Sequence, residues 1–162
     1  MSNTLRQLKH KNKIYEIGDC LILKESQVKI LIGKLLEIVP EGGISGYEEW
    51  PSIKVQWYYH WSELELDKLG ICEQDTLYLG ENELFFSDHV DNVYIDSIIG
   101  KCYVFTINDY DNCPTIDDNT YFSRSVFNTR EQSLNPPFNE WETFCNCKKP
   151  MNPNLLTVGC DK

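Results

Sequence analysis

Apolar and polar positions alternate most regularly between Ile53 and Tyr59. Ile53, Val55, Trp57 and Tyr59 occupy every second position, with Lys, Gln and Tyr between them. Because successive side chains of a strand point to opposite faces, this pattern predicts a strand that carries these four side chains on one face.

Further short apolar runs predict additional strands, separated by loops rich in Gly, Pro and Asp. The run 28–39 contains Gly33 near its centre and precedes Pro40, which favours a bent strand over a helix. The run 13–24 predicts two short strands or one strand with a turn around Gly18-Asp19, and further strands are predicted at 77–86, 102–107 and 121–127. We therefore predict an all-β domain over residues 13–138, with a barrel-like or sandwich-like core and short helices in its loops.

The two ends of the chain depart from this pattern. Residues 1–12 are polar and basic, so we predict a flexible N-terminal arm rather than a secretion signal. Asn135-Pro136-Pro137 is typical of a linker that leaves a domain. No apolar run approaches the roughly 18 residues of a membrane span, so no membrane partner is expected.

The composition narrows the range of possible functions. The formal net charge is −10, and affinity for phosphate comes mainly from Lys and Arg, so direct specific nucleic acid binding is not expected. An acidic surface attracts basic peptides, although the same charge could serve solubility alone. The seven cysteines, without a secretion signal, predict reduced thiols. Neither a phosphate-binding loop nor a Gly-x-Ser-x-Gly motif is present, so a binding module is favoured over an enzyme.

Two segments together resemble the BAH (bromo-adjacent homology) domain family. One is Glu81–Cys102, with Ser87-Asp88-His89 followed by Gly100-Lys101-Cys102, and the other is Val-Gln-Trp-Tyr-Tyr at 55–59. In that family a strand ends at the Ser-Asp-His step. The resemblance implies a β-rich, nuclear chromatin-binding module that needs no cofactor.

The resemblance also assigns a binding site. In several BAH domains the Trp and Tyr of this strand are walls of a cage for methylated lysine, whose cation is attracted to aromatic faces within about 6 Å. Trp57 and Tyr59 match those walls. His89 and Asp91 match the adjacent His and Asp, which would orient a histone backbone and complement the cation.

The completeness of that cage stays open. A Trp and a Tyr on one strand face are also typical of a core. Plant BAH readers carry a further aromatic residue where this chain has Leu31, so that wall is either missing or supplied by another residue, with Tyr15, Tyr47 and Trp61 as candidates.

Burial within the Glu81–Cys102 segment can also be predicted. Alternation places Leu84 and Phe86 on one face, and the resemblance adds Ile98 and Cys102 to the buried set. Gly100 is expected at a positive φ or at a close approach of another backbone.

The C-terminal segment resembles the opening of a PHD finger, as in plant proteins where that zinc module follows a BAH domain. The resemblance rests on Cys145, Cys147 and Cys160, with Met-Asn-Pro-Asn-Leu-Leu between them. Two tetrahedral zinc sites need four ligands each. Residues 139–162 are therefore expected to be a linker and an incomplete PHD finger, whose three ligands cannot close a zinc site. Zinc is expected only for an intact finger, and three incidental cysteines are the alternative.

Taken together, the sequence predicts a chromatin reader that binds a histone tail or nucleosome, with other chromatin proteins as partners. The alternative is a non-histone adaptor in a chromatin or replication-origin complex.

Overall fold

The computed structural model describes residues 6–27, 29–39, 52–141, 143–144, 149–150 and 152–154. Strands dominate these residues, which also contain one five-residue α-helix, α1 (Ile107–Asp111), and several short 3-10 helices. The predicted all-β class is confirmed. The chain divides into two compact units, which we call the first unit (Met1–Tyr58 with Asp88–Tyr103) and the second unit (Tyr59–Ser87 with Val104–Lys162).

The first unit is built on antiparallel strands. The strands that contribute to it are β1 (Gln7–His10), β2 (Lys13–Glu16), β3 (Cys20–Lys24), β4 (Ile30–Val39), β5 (Ser52–His60), β6 (Leu84–Tyr94) and β7 (Ile98–Phe105). Hydrogen-bonded neighbours follow the order β6-β5-β4-β3-β7, and β1 pairs with β2.

The core of the first unit follows from alternation along β4 and β5. Leu35, Ile53 and Val55 are fully buried, as is Leu21 on β3. Burying each such side chain is worth about 1.5–3 kcal/mol. The predicted strand 53–59 is confirmed, and β4 is a strand as expected. Its register against β5 shifts between Leu35 and Glu37, not at Gly33.

The described part of the expected N-terminal arm forms a hairpin with the residues that follow it. Gln7–His10 pairs with Lys13–Glu16 in a two-stranded hairpin. Its turn residues, Lys11 and Asn12, have φ of 50° and 67°, and two successive positive φ angles suit the twist of a tight hairpin. Asn tolerates this region well, which is the signal that marks the turn in the sequence.

Strand β6 corrects two expectations. It does not end at Ser87-Asp88-His89, because the strand continues to Tyr94. Phe85, at 0% exposure, is the deeply buried ring, whereas Phe86 is only half-buried. Leu84, Ile98 and Cys102 are buried as predicted.

The predicted role of Gly100 is also wrong. This glycine lies within β7 opposite Ile22 and is not among the described residues with positive φ. A Cβ built on it would find one atom within 4 Å, Lys13 Nζ at 3.8 Å, so no backbone approaches it closely.

The second unit contains β8 (Thr120–Phe122), β9 (Val126–Asn128) and β10 (Ser133–Asn135), with the N-terminal part of β6. β9 runs antiparallel to β10 and parallel to β6, pairing Val126 with Phe86. β11 (Thr143–Phe144) pairs with β12 (Lys149–Pro150). The strand predicted at 77–86 begins only at Leu84, because Glu73–Tyr78 forms a 3-10 helix whose Asp75 carboxylate accepts from the Cys72 backbone.

The core of the second unit is a cluster of apolar and aromatic side chains. Its buried members are Leu69, Ile71, Leu79, Phe85, Phe127, Leu134 and Trp141. Trp141 falls in the expected linker, yet it is 4% exposed, and its indole donates to Ser125 Oγ at 2.6 Å. Beyond it, Asn152 is also buried and donates to the carbonyls of Leu77 and Leu79.

A buried ion pair ties this unit together. Arg124 donates two hydrogen bonds to the Glu83 carboxylate, of 2.7 and 3.0 Å, and its guanidinium lies 4.0 Å from the centre of the Trp141 ring. Glu83 also accepts from the Gly80 backbone. Burial raises the pKa of Glu83, whereas the hydrogen bonds and charge of Arg124 act in the opposite direction.

Candidate functional site

The candidate site is built around Trp57, at the middle of β5. The register sets it opposite Gly33 on β4. A Cβ at Gly33 would stand 3.2 Å from Trp57 Cε3 and 3.1 Å from Val55 Cβ. Because Gly33 has no side chain, the indole of Trp57 can pack closely against β4.

Asp91 fixes the other edge of the indole. Trp57 Nε1 donates to Asp91 Oδ2 over 3.3 Å. Trp57 is only 7% exposed, whereas the Asp91 side chain is 54% exposed. The aromatic member of the site is thus largely covered, and its acidic member faces solvent.

His89 completes the group. It lies two residues before Asp91 on β6, so both side chains point to the same side of the strand. His89 Nε2 is 3.6 Å from the same Oδ2 atom, and the imidazole is 44% exposed.

Tyr59 belongs to the second unit. It is half-buried, packs against the apolar cluster there, and meets Phe127 edge-on with ring centres 5.7 Å apart. Of the four predicted site residues, the first unit brings together Trp57, His89 and Asp91.

The residues considered for a further cage wall lie in different places. Leu31 lies two positions before Gly33 on β4, so it shares the face of Gly33. Tyr15 is buried to 2% exposure. Trp61 donates its indole N–H to the Gly80 carbonyl at 2.9 Å in the second unit. Tyr47 is outside the described residues.

The cysteines predicted as incomplete zinc ligands, Cys145, Cys147 and Cys160, also lie outside the described residues. Their metal chemistry stays a prediction. Across the parts of the chain that the structure describes, no cluster of three or more His, Cys, Asp or Glu side chains is arranged to hold a metal ion.

Sequence reasoning missed one residue of the site, Gly33. The sequence pattern associates Gly33 with a bend, whereas the structure shows that it provides space for Trp57. The signal was available only through the register, because pairing Gly33 with Trp57 requires knowing how β4 and β5 align.

Comparison with known proteins identifies the class. The family model of the BAH domain matches residues 13–137. The chain therefore belongs to the BAH domain family.

Two curated relatives are from Arabidopsis thaliana. The chain is 28% identical over 157 residues to the chromatin remodeling protein SHL, covering 96% of this chain and 64% of that protein. It is 29% identical over 156 residues to the chromatin remodeling protein EBS, covering 95% of this chain and 61% of that protein. The chain thus spans about six tenths of the length of these relatives.

A solved structure supports the fold. The crystal structure of the yeast Rsc2 BAH domain matches with a TM-score of 0.55 at 15% identity, covering 80% of this chain and 53% of that chain. At this identity the likeness concerns the fold alone. No helix among the described residues combines the length and the apolar character that crossing a membrane requires.

Proposed function

We propose that this BAH domain is a nuclear chromatin reader that binds the basic tail of a histone. The observation that carries the proposal is the grouping of Trp57, His89 and Asp91 in one unit, with the Asp91 carboxylate more than half exposed. Support also comes from the relatives, which are chromatin remodeling proteins. Partners would be a histone tail, a nucleosome or other chromatin proteins.

The proposed recognition is electrostatic first and aromatic second. Asp91 would receive a lysine ammonium group, and the neighbouring Asp88 and the net charge of −10 would favour its approach. A face of the Trp57 ring would then contact the methylated ammonium group, because the negative part of the aromatic quadrupole lies on the ring face. Such a cation is attracted to an indole and is less costly to desolvate than a primary ammonium.

This function needs neither a cofactor nor a catalytic residue. The proposed chemistry is reversible binding. The expected PHD finger after residue 138 would be a separate zinc-dependent module, and it contributes nothing to the proposed site.

A second candidate function is an adaptor that binds a non-histone protein in a chromatin or replication-origin complex. One observation favours it: both predicted cage rings have packing roles, since Trp57 is 7% exposed and Tyr59 packs against Phe127. An adaptor would use the outer surface of the domain and would be indifferent to lysine methylation.

Calorimetric titration with histone H3 and H4 tail peptides tests the proposal. Each peptide should be offered unmodified and with trimethylated lysine at single positions. At least one trimethylated peptide is expected to bind more tightly than its unmodified form, and Asp91→Asn should weaken that binding. Asp118→Asn, which removes the same charge from an exposed loop of the second unit, is the matched control. Failure of every histone peptide to bind would refute the proposal and leave the adaptor.

A further inference from the structure

Two cysteines face each other across neighbouring strands on the other side of this sheet. Cys20 on β3 pairs directly with Cys102 on β7 in an antiparallel register. Residues opposite each other in such a ladder point to the same face, with Cα atoms about 4.5–5.5 Å apart. A disulfide can span Cα separations of about 4.4–6.8 Å, so a bond between these two cysteines would not require the strands to move.

The two side chains also share their surroundings. Cys20 Sγ donates to the hydroxyl of Tyr58 over 3.9 Å. Burial, and after it the neighbouring Cys20 and Cys102, raises the pKa of Tyr58. Burial, followed by the influence of Cys20, also raises the pKa of Cys102 to about 12. Both thiols and the phenol therefore occupy one small cluster within the first unit.

The two thiols differ in accessibility. Both are reduced, but Cys20 is half-buried and reachable from solvent, whereas Cys102 is 3% exposed. An accessible sulfur beside a shielded one is the arrangement in which the first reacts with an oxidant and the second resolves the product.

We propose that Cys20 and Cys102 form a reversible intramolecular disulfide when the protein meets a hydroperoxide such as hydrogen peroxide. The Cys20 thiolate attacks one peroxide oxygen, an S–O bond forms, the O–O bond breaks, and hydroxide leaves and takes up the thiol proton as water. The Cys102 sulfur then attacks Cys20 sulfur, the S–S bond forms, the S–O bond breaks, and a second water leaves with the Cys102 proton. Two thiols are oxidised by two electrons and one peroxide is reduced to two waters. A reducing thiol reverses the product by exchange.

The disulfide has a consequence for the strands around it. It crosslinks β3 to β7. It also removes the thiol that donates to the Tyr58 hydroxyl, and Tyr58 is the residue next to Trp57 on β5. The oxidised domain is therefore expected to unfold at a higher temperature, because the crosslink restricts the unfolded chain between two residues far apart in sequence.

Peptide mapping after oxidation tests the proposal. The folded 162-residue protein is treated with one equivalent of hydrogen peroxide, alkylated, digested with trypsin without reduction and analysed by mass spectrometry. Trypsin leaves Cys20 on the peptide 14–24, but it leaves Cys102 and Cys113 together on 102–124. A Cys113→Ser variant therefore makes the assignment unambiguous.

The expected result is a crosslinked pair of these two peptides, lighter by two hydrogens than the sum of the free peptides and lost on adding dithiothreitol. It should persist in Cys113→Ser and in Cys72→Ser, which replaces an exposed thiol, and it should vanish in Cys20→Ser. Oxidation of Cys20 to sulfenic or sulfinic acid without a crosslink would overturn the proposal. So would a mixture of disulfides identical to that formed by the protein unfolded in urea.

Discussion

Gly33 lies directly opposite Trp57, and an added methyl group there would stand 3.2 Å from the indole carbon Cε3. Such a contact is too short for an unperturbed carbon pair, so either the ring or the strand would have to yield. The position of the indole is therefore set by the smallest residue of the neighbouring strand.

Replacing Gly33 by Ala tests this dependence. Overpacking of a well-packed site costs about 1–3 kcal/mol, so Gly33→Ala should lower the free energy of unfolding by that order. The matched control is Gly100→Ala on β7, where the added Cβ meets only the flexible end of Lys13 at 3.8 Å. That variant should be neutral or slightly more stable, because Ala restricts the unfolded chain. Urea denaturation of both variants is the measurement. Equal losses in the free energy of unfolding would show that the close packing of Trp57 does not depend on Gly33.

The charge of Asp91 is expected to act on binding and little on folding. Asp91→Asn keeps an oxygen that can accept the Trp57 indole N–H, so its stability should change by less than about 1 kcal/mol. Its affinity for a histone tail peptide should fall, and the loss should shrink as salt rises. Exposed charges are screened over about 10 Å at 0.1 M ionic strength. Titrations at low and high salt beside Asp118→Asn provide the comparison, and a loss that does not depend on salt would contradict the electrostatic account.

The buried Glu83–Arg124 pair gives a second stability test. Removing one partner of such a pair typically costs about 3–5 kcal/mol, because the other charge stays buried without compensation. Glu83→Gln should therefore destabilise the domain strongly, and adding Arg124→Met should recover part of the loss. Glu65→Gln is the surface control, since the Glu65–Lys68 pair is at least half exposed on both sides and should cost about 0–1 kcal/mol. A double-mutant cycle by chemical denaturation measures this coupling. If the changes in the free energy of unfolding of the two single variants add up to that of the double variant, the two residues are not coupled.

Stability should fall at alkaline pH through the cluster of Cys102 and Tyr58. The folded pKa of Cys102 is raised to about 12 from 9.0, so the unfolded thiol loses its proton first. Stability is then complete below about pH 9 and declines as pH rises towards 12. The raised pKa of Tyr58 acts in the same direction. Cys102→Ala should flatten the decline in part, whereas Cys72→Ala should leave it unchanged. Denaturation curves between pH 7.5 and 10.5 measure the slope, and a parent protein as stable at pH 10.5 as at pH 8 would refute the expectation.

The sequence predicted those elements whose pattern is set by burial on one face. Strand β5 is such a case, since Ile53 and Val55 are fully buried and alternate with more exposed neighbours. The end of β6 could not be predicted in the same way. Ser87, Asp88 and His89 favour turns by local preference, but β6 lies beside β5 in the sheet, and pairing with a neighbouring strand overrides that preference.

The sequence could indicate which residues belong to the candidate site, but it could not show which side chains they contact. Resemblance pointed to Trp57, His89 and Asp91, which the first unit brings together. It could not show that Tyr59 packs on Phe127, because that contact depends on a short strand far away in sequence. Trp141 was missed for a related reason. A tryptophan in a proline-rich segment reads as part of a linker until the carbonyl of Pro136 and the hydroxyl of Ser125 are found beside its indole.

The Asp91 carboxylate is already engaged before any peptide arrives. One oxygen accepts from the Trp57 indole and lies 3.6 Å from the His89 imidazole. Under the proposed function, an incoming lysine would share this carboxylate with the Trp57 N–H and would bind beside the His89 imidazole. Such sharing would weaken the attraction of a single cation, and it would favour ligands that bring further contacts along their length over isolated charges in solution.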